Sequence, residues 1–200
     1  GSDLPSFYNK YRGAVISTSI DKFIYLSLHK KFDKGYRIGY SITENCNTLD
    51  EINHDIARES IRNSEIMDDL EITSIADIPS GTGLGSSSSY SVGLINALSA
   101  YKNIIFSQEE LAKSACNIEI NILNKSIGKQ DQYAAAYGGL NLIEFNKNGN
   151  ISVIPVTLDY DKKTEMMGRF LMFNTGGVRS ANDILTKQSY NLENSETHLE

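Results

Sequence analysis

Between Phe23 and Leu28, Phe23, Tyr25 and Ser27 interleave with Ile24, Leu26 and Leu28. A period of two sends successive side chains to opposite faces of a strand. β-Branched and aromatic residues fill the wider span Ala14 to Asn45, and polar breaks at Asp21-Lys22 and Asp33-Lys34-Gly35 divide it. The pattern predicts three strands in an antiparallel meander, the last running from Tyr36 to Thr43. The period then changes to that of a helix at Ile52, Ile56 and Ala57, and Leu70 to Ile75 reads as a further strand. Leu94, Ile95, Leu98 and Tyr101 keep a helical period through to Lys102-Asn103. Ser107 followed by Glu110 is a capping box, opening a helix whose Leu111, Ala115, Ile118 and Ile122 fall on one stripe. Both of these helices are expected to be amphipathic.

Leu140 to Phe145 and Ile151 to Leu158 read as strands joined by the hairpin turn Lys147-Asn148-Gly149-Asn150. A third strand is expected over Phe170 to Phe173, with a helix starting near Ser180. Strands in runs with helices grouped between them favour an α+β fold over alternating α/β.

Composition narrows the function. The 200 residues are 40% hydrophobic and 22% charged, close to the average for a folded soluble chain, and long enough for one core or the unequal halves of two. A formal net charge of −6 gives no broad attraction for nucleic acid or anionic membrane, so neither is expected as a partner. Cys46 and Cys116 have no Cys or His neighbours that would make a zinc site or redox pair. The two isolated cysteines make a reducing cytoplasm the expected location, and with no basic segment followed by an apolar one at the start and no apolar run of bilayer length, neither secretion nor an anchor is expected. Gly1-Ser2-Asp3 lacks an initiator Met and the final residues lack a stop signal, from which we expect sequence missing at both ends.

Pro79 to Ser89, Pro-Ser-Gly-Thr-Gly-Leu-Gly-Ser-Ser-Ser-Ser, lies between an expected strand and an expected helix. Gly81, Gly83 and Gly85 strip the loop of Cβ atoms, so backbone N–H groups can approach an anion. The serines fall in the first helical turn, where unpaired N–H groups and the positive end of the dipole favour phosphate. This is not a Walker loop, because no Lys follows Gly85. Ser86 to Ser89 also lacks the Gly-x-Ser-x-Gly elbow of a hydrolase. A flexible Gly/Ser linker is the other reading, and the ordered flanks disfavour it.

Glu119 falls eight residues after Leu111 and four after Ala115, on or beside the apolar stripe, where a carboxylate needs a partner. A bound Mg²⁺ would supply one, and a stripe-edge glutamate reaching solvent or a lysine is the alternative. Asp131, in Gly128-Lys129-Gln130-Asp131-Gln132, reads as a loop carboxylate that could hold or deprotonate a hydroxyl, or simply as a turn residue. Lys129 could neutralise phosphate beside it, or lie solvated. His29, His54 and His198 show no metal or triad spacing.

Pro79 to Ser89 resembles the Pro-x-x-x-Gly-Leu-Gly-Ser-Ser signature of the GHMP kinases, the superfamily of galactokinase, homoserine kinase, mevalonate kinase and phosphomevalonate kinase. The likeness extends through Glu119, Gly128 to Gln132 and Tyr133 to Gly139, and Ser2 to Tyr8 looks like the end of the family's first motif. Gly-Lys-Gln-Asp-Gln-Tyr-Ala-Ala-Ala-Tyr-Gly-Gly is most similar to the D-glycero-D-manno-heptose 7-phosphate kinase branch. The resemblance implies an N-terminal ATP-binding domain over 1–160, ribosomal protein S5 domain 2-like with helices packed on an antiparallel-rich sheet. Residues 161–200 would begin a ferredoxin-like C-terminal domain.

It also implies ATP and Mg²⁺ as cofactors and a sugar or sugar phosphate as substrate, and leaves a homodimer open. Pro79, Gly81, Gly83, Leu84, Gly85, Ser86, Ser87 and Ser88 would bind the nucleotide, Ser87 and Glu119 would hold Mg²⁺, and Asp131 would be catalytic. Asp3 would contact the substrate. Thr175 to Ser180 resembles the branch's Thr-Gly-x-x-Arg-Ser segment, making Arg179 the candidate for the sugar's phosphate. Two departures stand out: the strand and basic residue before the first motif are absent, and the family's last glycine-rich motif would lie beyond Glu200. The Glu119 to Asp131 spacing is one residue longer than in mevalonate kinase and suits the heptose branch. The alternatives are a kinase for an unphosphorylated sugar such as fucose or galactose, a non-catalytic nucleotide- or sugar-sensing module, and an interaction domain that merely keeps the glycine loop.

Overall fold

This computed structural model describes residues 2–173. Its elements run α1 (Pro5–Tyr11), β1 (Gly13–Thr18), β2 (Ile24–Lys30), β3 (Tyr36–Gly39), β4 (Thr43–Cys46), α2 (Asp55–Ser64), β5 (Leu70–Ala76), α3 (Ser86–Tyr101) and α4 (Gln108–Cys116). A π-helical turn, Asn117–Ile122, extends α4, and α5 (Gln130–Tyr137), β6 (Leu140–Phe145), β7 (Ile151–Pro155) and α6 (Tyr160–Met167) follow. The class is α+β, as the grouping of periods implies.

The strands form two sheets, β1-β6-β7 and β2-β5-β3-β4, antiparallel throughout except for the parallel β3–β5 pair. The expected meander is therefore wrong. β1 and β2 sit in different sheets, and β5 separates β2 from β3. Alternation assigns a strand's faces but not its neighbours. Leu70 and Ile72 of β5 are both fully buried, in one apolar cluster with Ile56 and Ile61 of α2 and Leu94 and Leu98 of α3, as suits a strand inside its sheet. The single strand expected over Tyr36 to Thr43 is two, because the chain turns back where the Tyr40 N–H bonds the Ile42 carbonyl at 2.8 Å.

α3 is the central helix, and it is not amphipathic as expected. Tyr90, Val92, Leu94, Ile95 and Leu98 are buried together with Ser88, Ser91 and Ser99, so burial extends around much of its circumference. Small residues permit this: a Cβ on Gly93 would meet the Leu26 side chain at 2.8 Å, so α3 lies close on β2. α4 divides two apolar clusters. Its Leu111 and Ala115 join α2, α3 and the four-stranded sheet, while Ala112 and Cys116 join Tyr8, Tyr133, Ile143 and Phe145 beneath the three-stranded sheet. Each pair is spaced i, i+4 and the two pairs are one residue out of phase, which turns them about 100° apart on the helix. Phe170 to Phe173, expected as a strand, takes no strand pairing among the described residues and is exposed. The element that forms nearby is α6, capped by Asp159. The helix expected near Ser180 lies outside the described residues.

Candidate active site

The glycine-rich loop leaves β5 and ends on α3. Asp77 pairs with Phe23 in both directions, through N–H to carbonyl at 3.0 Å and through its carboxylate accepting from the Phe23 N–H at 2.9 Å, which ties the loop to the start of β2. Gly85 is the N-cap of α3 and adopts φ +69°, a left-handed conformation that L side chains resist. It brings no capping side chain, so the N–H groups of the Ser86–Ser88 turn face outward without a side-chain acceptor from the cap. Those amides and the helix dipole are the groups that could hold an anion, as expected of this loop. Pro79 accepts a bond from the Thr82 hydroxyl at 3.3 Å, folding the loop on itself, and Leu84 is partly exposed beside Gly85.

Glu119 lies on the π-helical turn after α4, where the Leu123 N–H reaches the Ile118 carbonyl across a widened ring. This turn corrects the expected stripe: an α-helix would bury Ile122, but the π turn leaves it 38% exposed and sends Ile118 and Glu119 inward. The Glu119 side chain is fully buried. Its Oε2 accepts from the Ser87 hydroxyl at 3.2 Å and its Oε1 from the Gln132 amide at 3.0 Å. Both donors are neutral, and among the described residues no ion pair involves Glu119, although a buried carboxylate without a cation is costly.

Asp131 is not in a loop. It sits in the first turn of α5, whose amide end favours a carboxylate. The turn is placed by Asp3, whose Oδ2 accepts from the Gln130 N–H at 3.0 Å, and by Gly128, where any Cβ would run into the Asp3 carboxylate. The Asp131 side chain is aimed at the start of α3: a Cβ built on Gly85 would stand 3.3 Å from its Cγ and 3.6 Å from Oδ1. Although Asp131 touches solvent, partial burial raises its pKa above the ordinary carboxylate value, and the charges of Asp3 and Glu119 push in the same direction. Solvent at the carboxylate moderates the effect.

Gly83, Leu84, Gly85, Ser86 and Asp131 all line one open cleft of about 630 Å³ between the β1–β2 turn, the glycine loop, α3 and α5. Pro79, Gly81, Ser87, Ser88, Glu119 and Asp3 do not line it; Ser88 is buried in α3, and Ser87, exposed, bridges from the surface to the buried Glu119. Lys22 is the one cation in the cleft's described lining, and the sequence reading passed it over as a turn residue between two strands. Gln132 was also missed; its only signal was its place beside Asp131. Lys129 packs over the Tyr8 ring, 5.8 Å from its centroid. Arg179 lies outside the described residues.

The residues fit a magnesium ion. Adjacent ligands of an octahedral Mg²⁺ stand about 2.9 Å apart, and Ser87 Oγ and Glu119 Oε2 already lie 3.2 Å from one another. Among the described residues no cluster of three or more His, Cys, Asp or Glu could hold a metal alone, so the remaining ligands would be phosphate and water, as magnesium prefers. Among the described residues no helix is long and apolar enough to cross a membrane.

A profile of the GHMP kinases N terminal domain matches residues 51–139. A D-glycero-alpha-D-manno-heptose 7-phosphate kinase of Campylobacter jejuni is 32% identical over 196 residues, 92% of this chain and 58% of the relative, so the chain spans well under two thirds of that protein. An L-fucokinase/L-fucose-1-P guanylyltransferase of Bacteroides fragilis is 28% identical over 135 residues, 65% of this chain and 14% of the relative. A solved D-glycero-D-manno-heptose 1-phosphate kinase from Bacteroides thetaiotaomicron superposes with a TM-score of 0.73 at 22% identity, covering 96% of this chain and 68% of that one. The Methanococcus jannaschii mevalonate kinase superposes at 0.61 and 21%, covering 80% and 54%. The superpositions show the fold, and residues 51–139, which hold the glycine-rich loop, Glu119 and Asp131, match the GHMP kinases N-terminal domain.

Proposed function

We propose that the full-length protein is a cytoplasmic, magnesium-dependent sugar kinase that moves the γ-phosphoryl group of ATP onto the anomeric hydroxyl of D-glycero-D-manno-heptose 7-phosphate. Residues 1–160 are assigned to the ATP-binding domain and 161–200 to the start of the C-terminal one. The observation that carries the reading is the approach of the Asp131 carboxylate to Gly85, which puts a hydroxyl-binding group at the mouth of an anion cradle. The named activity of the Campylobacter jejuni relative supports the substrate. Free thiols at Cys46 and Cys116 suit a reducing compartment.

Phosphoryl transfer asks little covalent chemistry of a protein, because its loose transition state is stabilised by alignment and by charges around the equatorial oxygens. Gly81 to Ser88 wrap the nucleotide's phosphates and present the α3 amides to them, with Pro79 holding the loop's first turn. Ser87 and Glu119 hold the magnesium ion, which when bound neutralises charge on the phosphate oxygens. Asp131 accepts a hydrogen bond from the acceptor hydroxyl, sets it in line and takes its proton late. Its raised pKa makes it a stronger base than an ordinary carboxylate. Asp3 contacts sugar hydroxyls from its place beside Gly128, and Arg179 binds the sugar's phosphate with its guanidinium fork.

A coupled ADP-release screen of the full-length protein over sugars and sugar phosphates tests this: the heptose 7-phosphate should turn over fastest. The similarity to fucokinase-containing proteins favours a second reading, an unphosphorylated sugar as acceptor. Dependence on Arg179 separates the two, since Arg179→Ala should penalise only a phosphorylated acceptor.

A further inference from the structure

Two successive residues of α5 face two different parts of the site. Asp131 is turned to the cleft, where it meets Gly85, and Gln132, about 100° further round the helix, is fully buried against Glu119. We infer that Gln132 is a positioning residue for the metal-binding carboxylate: its amide N–H holds Glu119 Oε1 and thereby aims Oε2 at Ser87 and at the cation. The inference rests on the metal reading given above for Ser87 and Glu119.

Three observations carry it. The Gln132 Nε2 to Glu119 Oε1 bond is 3.0 Å long and buried at both ends, so no water competes for it. The amide's orientation is fixed by chemistry, because turning it over would set its oxygen against a carboxylate oxygen, two acceptors facing one another. In this orientation the amide oxygen is left buried without a hydrogen-bond partner among the described residues. An orphaned buried acceptor is destabilising, so a side chain chosen for packing alone would not be an amide. The site keeps that cost in exchange for one directed N–H. Glu119 then has Oε1 committed to Gln132 and Oε2 shared only with Ser87, the other residue of the metal reading, which suits a cation taking a single carboxylate oxygen from the protein.

The test uses the full-length protein with the non-hydrolysable nucleotide AMP-PCP and reads Mn²⁺ binding by electron paramagnetic resonance. Gln132→Met keeps the length of the side chain and removes the donor, and should raise the Mn²⁺ Kd by about tenfold or more, the usual effect of losing a group that orients a ligand. AMP-PCP affinity measured without metal should not change. In a Glu119→Gln background the same substitution should have no further effect, because the oxygen it positions no longer binds metal. A wild-type Mn²⁺ Kd in Gln132→Met, with a native near-UV circular dichroism spectrum, overturns the inference. Should that variant not fold, Gln132→Asn carries an amide too short to reach Glu119, and it must weaken Mn²⁺ as well; wild-type affinity there also overturns it. If Glu119→Gln itself binds Mn²⁺ like wild type, the metal assignment has failed and takes this role with it, whereas unchanged binding in the Gln132 variants alone sinks only the role of Gln132.

Discussion

The carboxylate of Asp131 rests against Gly85, close enough that a Cβ on the glycine would stand 3.3 Å from its Cγ. Gly85 also holds φ +69° as the N-cap of α3. Gly85→Ala therefore meets two obstacles, backbone strain of about 1–2 kcal/mol and a carboxylate that must move. We expect a lower melting temperature and a KM for ATP that rises more than the KM for the sugar. Equal KM values for wild type and variant would detach Gly85 from the nucleotide.

Asp131→Asn keeps the shape and removes the base. Turnover should fall by roughly two to four decades with ATP affinity nearly constant. The wild-type pH profile of kcat/KM should rise as Asp131 loses its proton, at a pH above the ordinary carboxylate range because burial, Asp3 and Glu119 all raise its pKa. That limb should vanish in the variant. A sensing module with this fold would instead keep its response without Asp131, and an interaction domain would gain no thermal stability from ATP.

Gly128→Ala drives a methyl group into the Asp3 carboxylate, which holds the first amide of α5. Overpacking of this kind costs about 1–3 kcal/mol, and urea denaturation should show it. Adding Asp3→Ala removes the obstacle and should restore most of the stability without restoring sugar phosphorylation. Recovery of both would mean that Asp3 is only a helix cap.

Acid should destabilise the fold through His54. Its Nδ1 caps α2 by accepting from the Ala57 N–H at 3.3 Å, which requires a neutral ring. Burial between Tyr40 and Tyr90 lowers its pKa, against the opposing pull of Asp55 and Glu44, while Lys125 adds to the lowering. A lowered His pKa means that the unfolded chain takes up the proton first, so stability is full above about pH 6.5 and is lost as the pH falls toward the folded value. His54→Asn keeps a capping side chain that does not titrate in this range, and its unfolding free energy should decline less between pH 7 and 5.5.

Local signals in the sequence carried far. The capping box at Ser107 and Glu110 closes both of its hydrogen bonds, and the Asn148-Gly149 hairpin joins β6 to β7. The loop from Pro79 to Ser89 lies between a strand and a helix as read. What failed depended on distant partners. Nothing near β2 announces that β5 will pair with it, and the short span between Gly128 and Gly138-Gly139 hides α5 although Ala134, Ala135 and Ala136 are strong helix formers. The π turn at Glu119 breaks the period by which the stripe was followed, so the sequence placed the residue on or beside the stripe without deciding that it is buried. Gln132 signals only that it neighbours Asp131, and its role is not legible until Glu119 is seen opposite.

A crystal structure of the full-length protein with Mg²⁺, the non-hydrolysable ATP analogue AMP-PNP and the acceptor sugar would bear most directly on the account. The terminal phosphate should lie on the amides at the start of α3, the metal on Ser87 and Glu119, and the acceptor oxygen between that phosphate and Asp131. A nucleotide bound away from Gly85, or an acceptor hydroxyl held by groups other than Asp131, would contradict it.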